Sequence, residues 1–496
     1  MTSYVMTFDV GTTSLKAALV DRDGKIVREG AAEYPVKQLQ TGWAEQDPEQ
    51  IWQAICQTSR RVMAESAAAA QDVVAAVFVA PWKNIIPVTP DGTVLRDSII
   101  WMDARAGEQA QQLNESLGEF VGTGQEFWPR LMWVKQHEPE IWQQAERIMG
   151  LNTYFKWRAT GEWLTEPSDD LIHSANPRLQ EYYSRIANAA GLAEDLDKFA
   201  PSKPATELVG NLTAEAAELL GMTTGTKVFG GFGDLVAITL GVGRSRLNDA
   251  HIYFGTSSWL VSIIRDRFDL DAPQYFTLDD AHEGALFALQ TGCMAFDWIV
   301  DQVYRGEKER MGNELLPFIN HEVDQIQAGS DGLVATHWLT GELPPFSKNA
   351  KGIFLNLTSN HDRRHMVRAM MESICYTHRR NLEMFQQRTG AELENIRVVG
   401  GGAVSDVWMQ MLADVLQLKV QVPEAPRYTG TMGAYYCAAV GMGWLDNTDA
   451  IADAVRLRAE FVPNPDNKDV YDHMFSVYMM LHPALREVFD ELNGRF

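Results

Sequence analysis

Cysteine is scarce in this chain of 496 residues: the four present, Cys56, Cys293, Cys375 and Cys437, are far apart and form no C-x-x-C pair. Neither a zinc ribbon nor a dithiol redox motif fits that spacing, and a reducing compartment suits it best. Long apolar runs are missing too. No uncharged stretch is long enough to span a bilayer, and no basic segment followed by an apolar one opens the chain, so a cytoplasmic protein without a membrane partner is expected. Positive charge is also short, with 43 Lys and Arg against 66 Asp and Glu and a net charge of -23. Nucleic acids and anionic membranes are bound by clustered Lys and Arg, so neither is an expected partner. Any anion must be held by a local site, and most of the acidic excess serves solubility.

What is present is globular. Hydrophobic residues make up 46% and charged ones 22%, and the length suits two large domains or three ordinary ones. Three stretches carry chemistry. In residues 5–20, VMTFDVGTTSLKAALV, two strand-like runs flank a turn, and the segment reads as a hairpin that holds a phosphate. Gly11 lets backbone N–H groups approach an anion, Thr12, Thr13 and Ser14 add donors, and Lys16 supplies a point charge. Asp9 at the strand end suits Mg²⁺, which takes one or two carboxylates and keeps several waters. An ordinary Gly-Thr turn with a surface Asp fits the same residues.

The second stretch is residues 227–243, KVFGGFGDLVAITLGVG. A short strand enters three glycines, and Asp234 opens an apolar helix, where it either caps the helix or serves as a general base. The third is residues 396–406, IRVVGGGAVSD, whose side-chain-free turn after a strand lets a flat base or ribose lie against it. The spacing is not G-x-G-x-x-G.

Between these, Asp23-Gly24 makes a turn and residues 25–34 a third antiparallel strand. Asp47, Pro48 and Gln50 open a helix that the apolar spacing carries to about residue 70. Residues 73–80 read as a strand buried in a covered sheet. A short strand over 98–101 leads to Trp101, Asp103 and Arg105, which are candidate contacts for a hydroxyl-rich ligand if that strand ends in an open sheet. An ion pair beside a packing Trp fits them as well. The aromatics of residues 127–137 wall a sugar pocket or fill a core. Residues 250–264 repeat the opening plan, with Gly255, Thr256 and Ser257 in the places of Gly11, Thr12 and Thr13, so an internal duplication is expected. His361 and His365 have the spacing of metal ligands on a helix, but Arg363 and Arg364 between them would repel a cation. Residues 430–440 form a small-residue helix suited to close packing, and the last sixty or so residues look like helical covering.

Nine segments, taken in order, resemble the FGGY family of carbohydrate kinases, in the superfamily of actin, Hsp70 and hexokinase. They are DVGTTSLK from Asp9, GWAEQDPE from Gly42, WMDAR from Trp101, RLMWVKQHEPE from Arg130, TGE at Thr160, GGFGD from Gly230, FGTSS from Phe254, KGIFLNLTSNHDRRHMVRAMMES from Lys351 and GGGAVSDVWMQMLADVL from Gly400. The resemblance implies an α/β fold of two actin-like (ribonuclease H-like) domains with mixed sheets, residues 1–247 and 248–496, and a nucleotide cleft between them. It implies that Gly11, Thr12, Thr13, Ser14 and Lys16 meet the ATP phosphates from one domain and Gly255 and Thr256 from the other, that Gly401, Gly402 and Asp406 meet the adenosine, and that Asp234 is the catalytic base. Sugar contacts are expected at Trp101, Asp103, Arg105 and the turn after residue 80. There Pro81, Trp82, Lys83 and Asn84 replace the Gln-Met-His-Gly common in xylulokinases. Leu235, Arg130 and Asn356 depart from the family pattern as well. An ATP- and Mg²⁺-dependent kinase acting on a ketopentose or a related polyol follows, with GWAEQDPE closest to xylulokinases. Another acceptor, such as glycerol, a sugar acid or a signalling sugar, is the alternative, as is a silent sensor. A homodimer is an open expectation.

Overall fold

A computed structural model describes residues 3–267, 274–279, 281–342 and 347–494. The chain forms two compact units. One comprises Met1–Gly243 with Thr277–Ala281 and Gly430–Ala452, and the other Arg244–Phe276 with His282–Thr429 and Asp453–Phe496. The small-residue helix Thr429–Gly441, expected in the second half, thus lies almost wholly in the first unit.

In the first unit a sheet runs Ile26–Glu33, Ser14–Asp21, Tyr4–Val10, Val73–Ala80, Lys227–Phe229, Leu208–Asn211. The first three strands form an antiparallel meander, and Tyr4–Val10, Val73–Ala80 and Lys227–Phe229 are parallel. Strand Leu208–Asn211 closes the edge antiparallel, and the short Phe232–Gly233 also pairs with Val73–Ala80. Parallel strands are covered on both faces, which is why Val73–Ala80 reads VVAAVFVA without alternation. Phe8 and Phe78 stack with centroids 5.1 Å apart in its core. Burial of each such side chain contributes roughly 1.5–3 kcal/mol. Helix Pro48–Ala64 buries Ile51, Trp52, Ile55 and Val62, and Asp47 caps it by accepting from the backbone N–H of Glu49 and Gln50. It stops six residues short of the expected end.

The second unit repeats the plan. Its sheet runs Gln274–Thr277, Glu283–Leu289, Ser258–Ile264, Ala250–Phe254, Asn395–Val399, Lys419–Pro423, Leu457–Phe461. Again a meander leads to a strand, Ala250–Phe254, that pairs in parallel with Asn395–Val399, which in turn pairs in parallel with Lys419–Pro423, and the edge is antiparallel. Edge strand Leu457–Phe461 belongs to a stretch expected to be only helical covering. The 27-residue helix Arg363–Thr389 and Asp406–Leu416 pack over the core around Trp408.

Some short strands stand apart from these sheets. Ser98–Ile99 pairs with Glu45–Gln46 and bridges to Ile85, outside both main sheets, so the expectation that residues 98–101 end a strand of the open sheet is corrected. Among the described residues no helix is long and apolar enough to cross a membrane.

Candidate active site

The opening segment forms the expected hairpin, and its register sets Asp9 opposite Lys16. Its turn is held by backbone: Gly11 N–H donates to Ser14 O at 2.8 Å and Tyr34 N–H to Thr13 O at 3.1 Å. The Tyr34 hydroxyl donates to the Gly11 carbonyl. Thr12 is anchored twice, its carbonyl accepting from Gln46 Nε2 at 2.6 Å and its hydroxyl from the Trp101 indole N–H at 3.0 Å. Thr13 is exposed, and Gly11, Thr12 and Ser14 are half-buried. Burial raises the Asp9 carboxyl from its ordinary range, and Lys16 opposes that shift. A Cβ on Gly430 would stand 2.5 Å from Asp9 Oδ2, so only glycine lets helix Thr429–Gly441 start against this carboxylate.

Asp234 is the first residue of helix Asp234–Val242, and the cap position belongs to Gly233, which has no side chain to offer. The Asp234 carboxylate accepts from the next backbone N–H, Leu235, at 3.0 Å. It thus satisfies the second helical N–H from one residue inside the cap position, so serving the helix start and serving as a base both remain open to it. Burial, then the charge of Asp9, pushes the Asp234 carboxyl up to about 7. Gly231 shapes the approach: it sits at φ +68, and a Cβ there would lie 2.0 Å from Phe78 O.

Strand Phe232–Gly233 brings this turn to the end of Val73–Ala80, with Gly233 opposite Ala80. The next residues are Pro81, Trp82, Lys83 and Asn84, and a Cβ on Gly233 would lie 3.8 Å from Trp82 Cβ. Lys83 takes the left-handed conformation at φ +62. Its ammonium pairs with Glu126 at 2.7 Å and lies 4.1 Å from the Trp82 ring centroid. The buried Asn84 donates to the Pro81 carbonyl, and its Oδ1 has no partner. Arg130, fully buried, donates to Lys83 O at 2.7 Å and to Ile100 O at 2.6 Å, tying the turn to the loop at 101–105.

In that loop Asp103 and Arg105 bond to each other at 2.9 and 2.7 Å. Both side chains are buried. Asp103 also accepts from Ala44 N–H at 2.6 Å, while Arg105 pairs with Glu45 at 2.6 Å and lies 3.9 Å from the Trp43 ring centroid. Their charges are spent on the frame of the loop, which is the ion-pair arrangement the sequence also allowed. Trp101, by contrast, is 43% exposed. Phe127, Trp128 and Trp133 are buried in a side core.

In the second unit, Gly255 closes its turn by donating to Ser257 O at 3.1 Å, and its own carbonyl accepts from Cys293 N–H at 2.8 Å. Thr256 is exposed, and its carbonyl accepts from Gly292 N–H at 3.1 Å. A Cβ on Gly402 would meet Cys293 Sγ at 3.0 Å and Phe254 at 3.1 Å, whereas one on Gly401 would meet nothing within 4 Å. Asp406 is the first residue of helix Asp406–Leu416 and pairs with Arg458 at 2.9 Å.

The first unit thus gathers Asp9, the Gly11–Ser14 turn, Lys16, Trp82 and Asp234, and the second gathers Gly255, Thr256, Gly401 and Gly402. His361 precedes the helix that holds His365, and His365 pairs with Asp362 and Asp331. No group of three or more possible metal ligands occurs among the described residues. Sequence reasoning missed Lys156, Glu166 and Ser168, which are buried, and Asp169, which is half-buried. The last three sit in TEPSDD, where nothing local marks the residues as enclosed.

A parallel-centred sheet repeated in two units, with a Gly-Thr turn in each and the half-buried carboxylate of Asp234 in one, is the two-domain architecture of the actin-like class. The N-terminal domain model of the FGGY family of carbohydrate kinases matches residues 4–241 and the C-terminal one residues 250–442. The chain belongs to this family. It is 26% identical to the xylulose kinase of Bacillus subtilis (strain 168), with 98% of each chain covered. It is 28% identical to the L-xylulose/3-keto-L-gulonate kinase of Escherichia coli (strain K12), again over 98% of each. The gluconate kinase structure from Lactobacillus acidophilus superposes with a TM-score of 0.85 at 22% identity, covering 99% of this chain and 100% of that one. The protein is a sugar phosphotransferase.

Proposed function

We propose that the chain transfers the γ-phosphoryl group of ATP to a primary hydroxyl of a ketopentose or a related polyol. The carrying observation is Asp234: a carboxyl raised to about 7 by burial and by Asp9, set one residue inside the cap position, on the turn beside Trp82. A general base works best with a pKa near the operating pH. Asp234 would take the proton of the acceptor hydroxyl as its oxygen bonds to the γ-phosphorus, while the bond to the bridging oxygen breaks and ADP leaves. Such transfer asks for positioning and charge stabilisation more than covalent chemistry. The Gly11–Ser14 turn and Lys16 would bear phosphate charge from the first unit and Gly255 and Thr256 from the second, with Gly401, Gly402 and Asp406 at the adenosine.

The donors present fit Mg²⁺. Asp9 is a hard oxygen ligand, its carboxyl and that of Asp234 each want a cation by their burial, and glycine at 430 leaves Asp9 uncrowded. When bound, the ion would neutralise phosphate charge beside Asp9. At the acceptor end Trp82, Lys83 and Asn84 would read the sugar. Trp101 would flank it, and Asp103 and Arg105 would act through the loop they frame.

The test is ATP turnover on a panel of ketopentoses, polyols and sugar acids. The expected result is highest kcat/KM on a ketopentose. Turnover confined to sugar acids would replace the acceptor class, and ATP binding without turnover on any of them would favour a sensor.

A further inference from the structure

Asp234 follows directly on Gly233, the last residue of the short strand Phe232–Gly233, whose dihedrals nothing in its own side chain restricts. Where the Asp234 carboxylate points is therefore set by whatever holds the Gly233 peptide. Its N–H, buried, donates to Ser168 Oγ at 2.8 Å. The Ser168 hydroxyl in turn donates to Glu166 Oε1 at 2.6 Å, and Ser168 N–H donates to Glu166 Oε2 at 2.8 Å. A hydroxyl rotor pinned to a carboxylate keeps its lone pairs turned toward Gly233. Glu166 is itself 1% exposed, and the nearby charge that compensates it is Lys156. Lys156 Nζ is enclosed without a hydrogen-bond partner among the described residues, pushed down to about 8 by burial against the pull of Glu166 and Asp169.

The neighbouring residue completes the arrangement. The Asp169 carboxyl is near enough to the backbone N–H of Lys83, in the turn that lies beside Gly233, for that N–H to oppose the rise that burial gives its pKa. One buried loop thus holds both the acceptor turn and the peptide that carries the carboxylate. Small displacements between reacting groups cost large factors in rate, so a rigid tie between these two turns has a kinetic consequence.

We propose that Ser168, oriented by Glu166, is a positioning residue for Asp234: its hydroxyl fixes the Gly233 peptide, and through Asp169 the same loop sets the spacing between that carboxylate and the acceptor turn. The inference rests on the reading of Asp234 as the base.

The experiment is a double-mutant cycle on the full-length enzyme at saturating ATP and its best acceptor. Ser168→Ala should lower kcat about tenfold, the scale of one buried hydrogen bond, with KM for ATP unchanged. Ser168→Thr, which keeps the hydroxyl, should restore most of it. In an Asp234→Asn background Ser168→Ala should cost less than about twofold, because the group it positions is gone. If Ser168→Ala melts below the assay temperature, Ser168→Cys fills the volume but accepts poorly and should show the same loss. A kcat within twofold of the parent for the Ala or Cys variant overturns the proposal, and so does an equal loss in both backgrounds. Asp234→Asn retaining its own kcat overturns the base reading instead, on a different variant, and takes this inference with it.

Discussion

In the first unit the parallel strand Val73–Ala80 ends in Pro81, Trp82, Lys83 and Asn84, and the next parallel strand, Lys227–Phe229, leads to Asp234. In the second unit the equivalent strands are Asn395–Val399, which ends in Gly400, Gly401 and Gly402, and Lys419–Pro423, which runs into Glu424, Ala425 and Pro426. The same strand order thus delivers a bulky, charged turn and a buried acid on one side and bare backbone on the other. Ligands bind beyond the carboxyl ends of parallel strands, so the duplicated sheet fixes where chemistry can be placed and the residues after each strand decide what it is. On the function proposed above, the first unit would supply proton transfer and acceptor reading, and the glycine turn of the second a flat surface.

The sharpest break of that comparison is Asp234→Asn. Asn keeps the shape and the contact with Leu235 N–H but cannot take a proton, so kcat at saturating substrates should fall roughly 10²–10⁴-fold. The melting temperature should barely move, because the cap position is Gly233. A variant keeping most of its kcat removes Asp234 from the chemistry.

Glycines separate the units next. A Cβ on Gly433 would stand 1.9 Å from Ala237 O, where helix Thr429–Gly441 packs on the helix that Asp234 begins. Gly433→Ala should therefore destabilise by about 1–3 kcal/mol, as overpacking does, and a thermal melt checks it. An unchanged melting temperature would show that this helix does not pack on Asp234–Val242 as described.

Gly401 is the opposite case. It has φ -64 and ψ -38, angles open to any residue, and open space before its Cβ position. Gly401→Val should leave the melt unchanged and weaken ATP binding about tenfold, or about 1.4 kcal/mol, by calorimetry. Unchanged affinity would place the adenosine elsewhere. Gly402→Val is a less clean test, since its side chain would press on Cys293 and Phe254 as well.

How much of this was legible in the sequence depends on whether the signal was local. The hairpin at Asp9, strand Val73–Ala80, the cap at Asp47 and the duplication at Gly255 each rest on neighbouring residues and were read within a residue or two. The edge strand Leu208–Asn211 carries no alternation that marks it, and the helix from Pro48 ended early because nothing in its composition marks Ala64 as its end. Gly430 and Gly433 read as a close-packing helix, but that the helix joins the first unit is a long-range fact. The Asp103–Arg105 pair was legible as chemistry, yet whether it faces a ligand or itself is decided by Trp43, Ala44 and Glu45, some sixty residues away. Lys156 and residues 165–170 gave no signal, because enclosure alone makes their charges meaningful.

The smallest expected effect concerns which acceptor is preferred. Trp82 sits where the first unit differs most from the glycine turn of the second, half-buried beside Gly233 with the Lys83 ammonium over its ring. A pocket discriminates acceptors through groups left paired or unpaired, and an indole offers one donor where an imidazole offers a donor and an acceptor. Trp82→His should therefore change the ratio of kcat/KM between a ketopentose and a polyol severalfold, with kcat on the better acceptor falling less than in Asp234→Asn. The measurement is the ratio itself, taken under one set of conditions so that any general loss cancels. An equal drop on every acceptor would mean that Trp82 only packs, and the reading of this turn as the acceptor's contact surface would pass to Lys83 and Asn84.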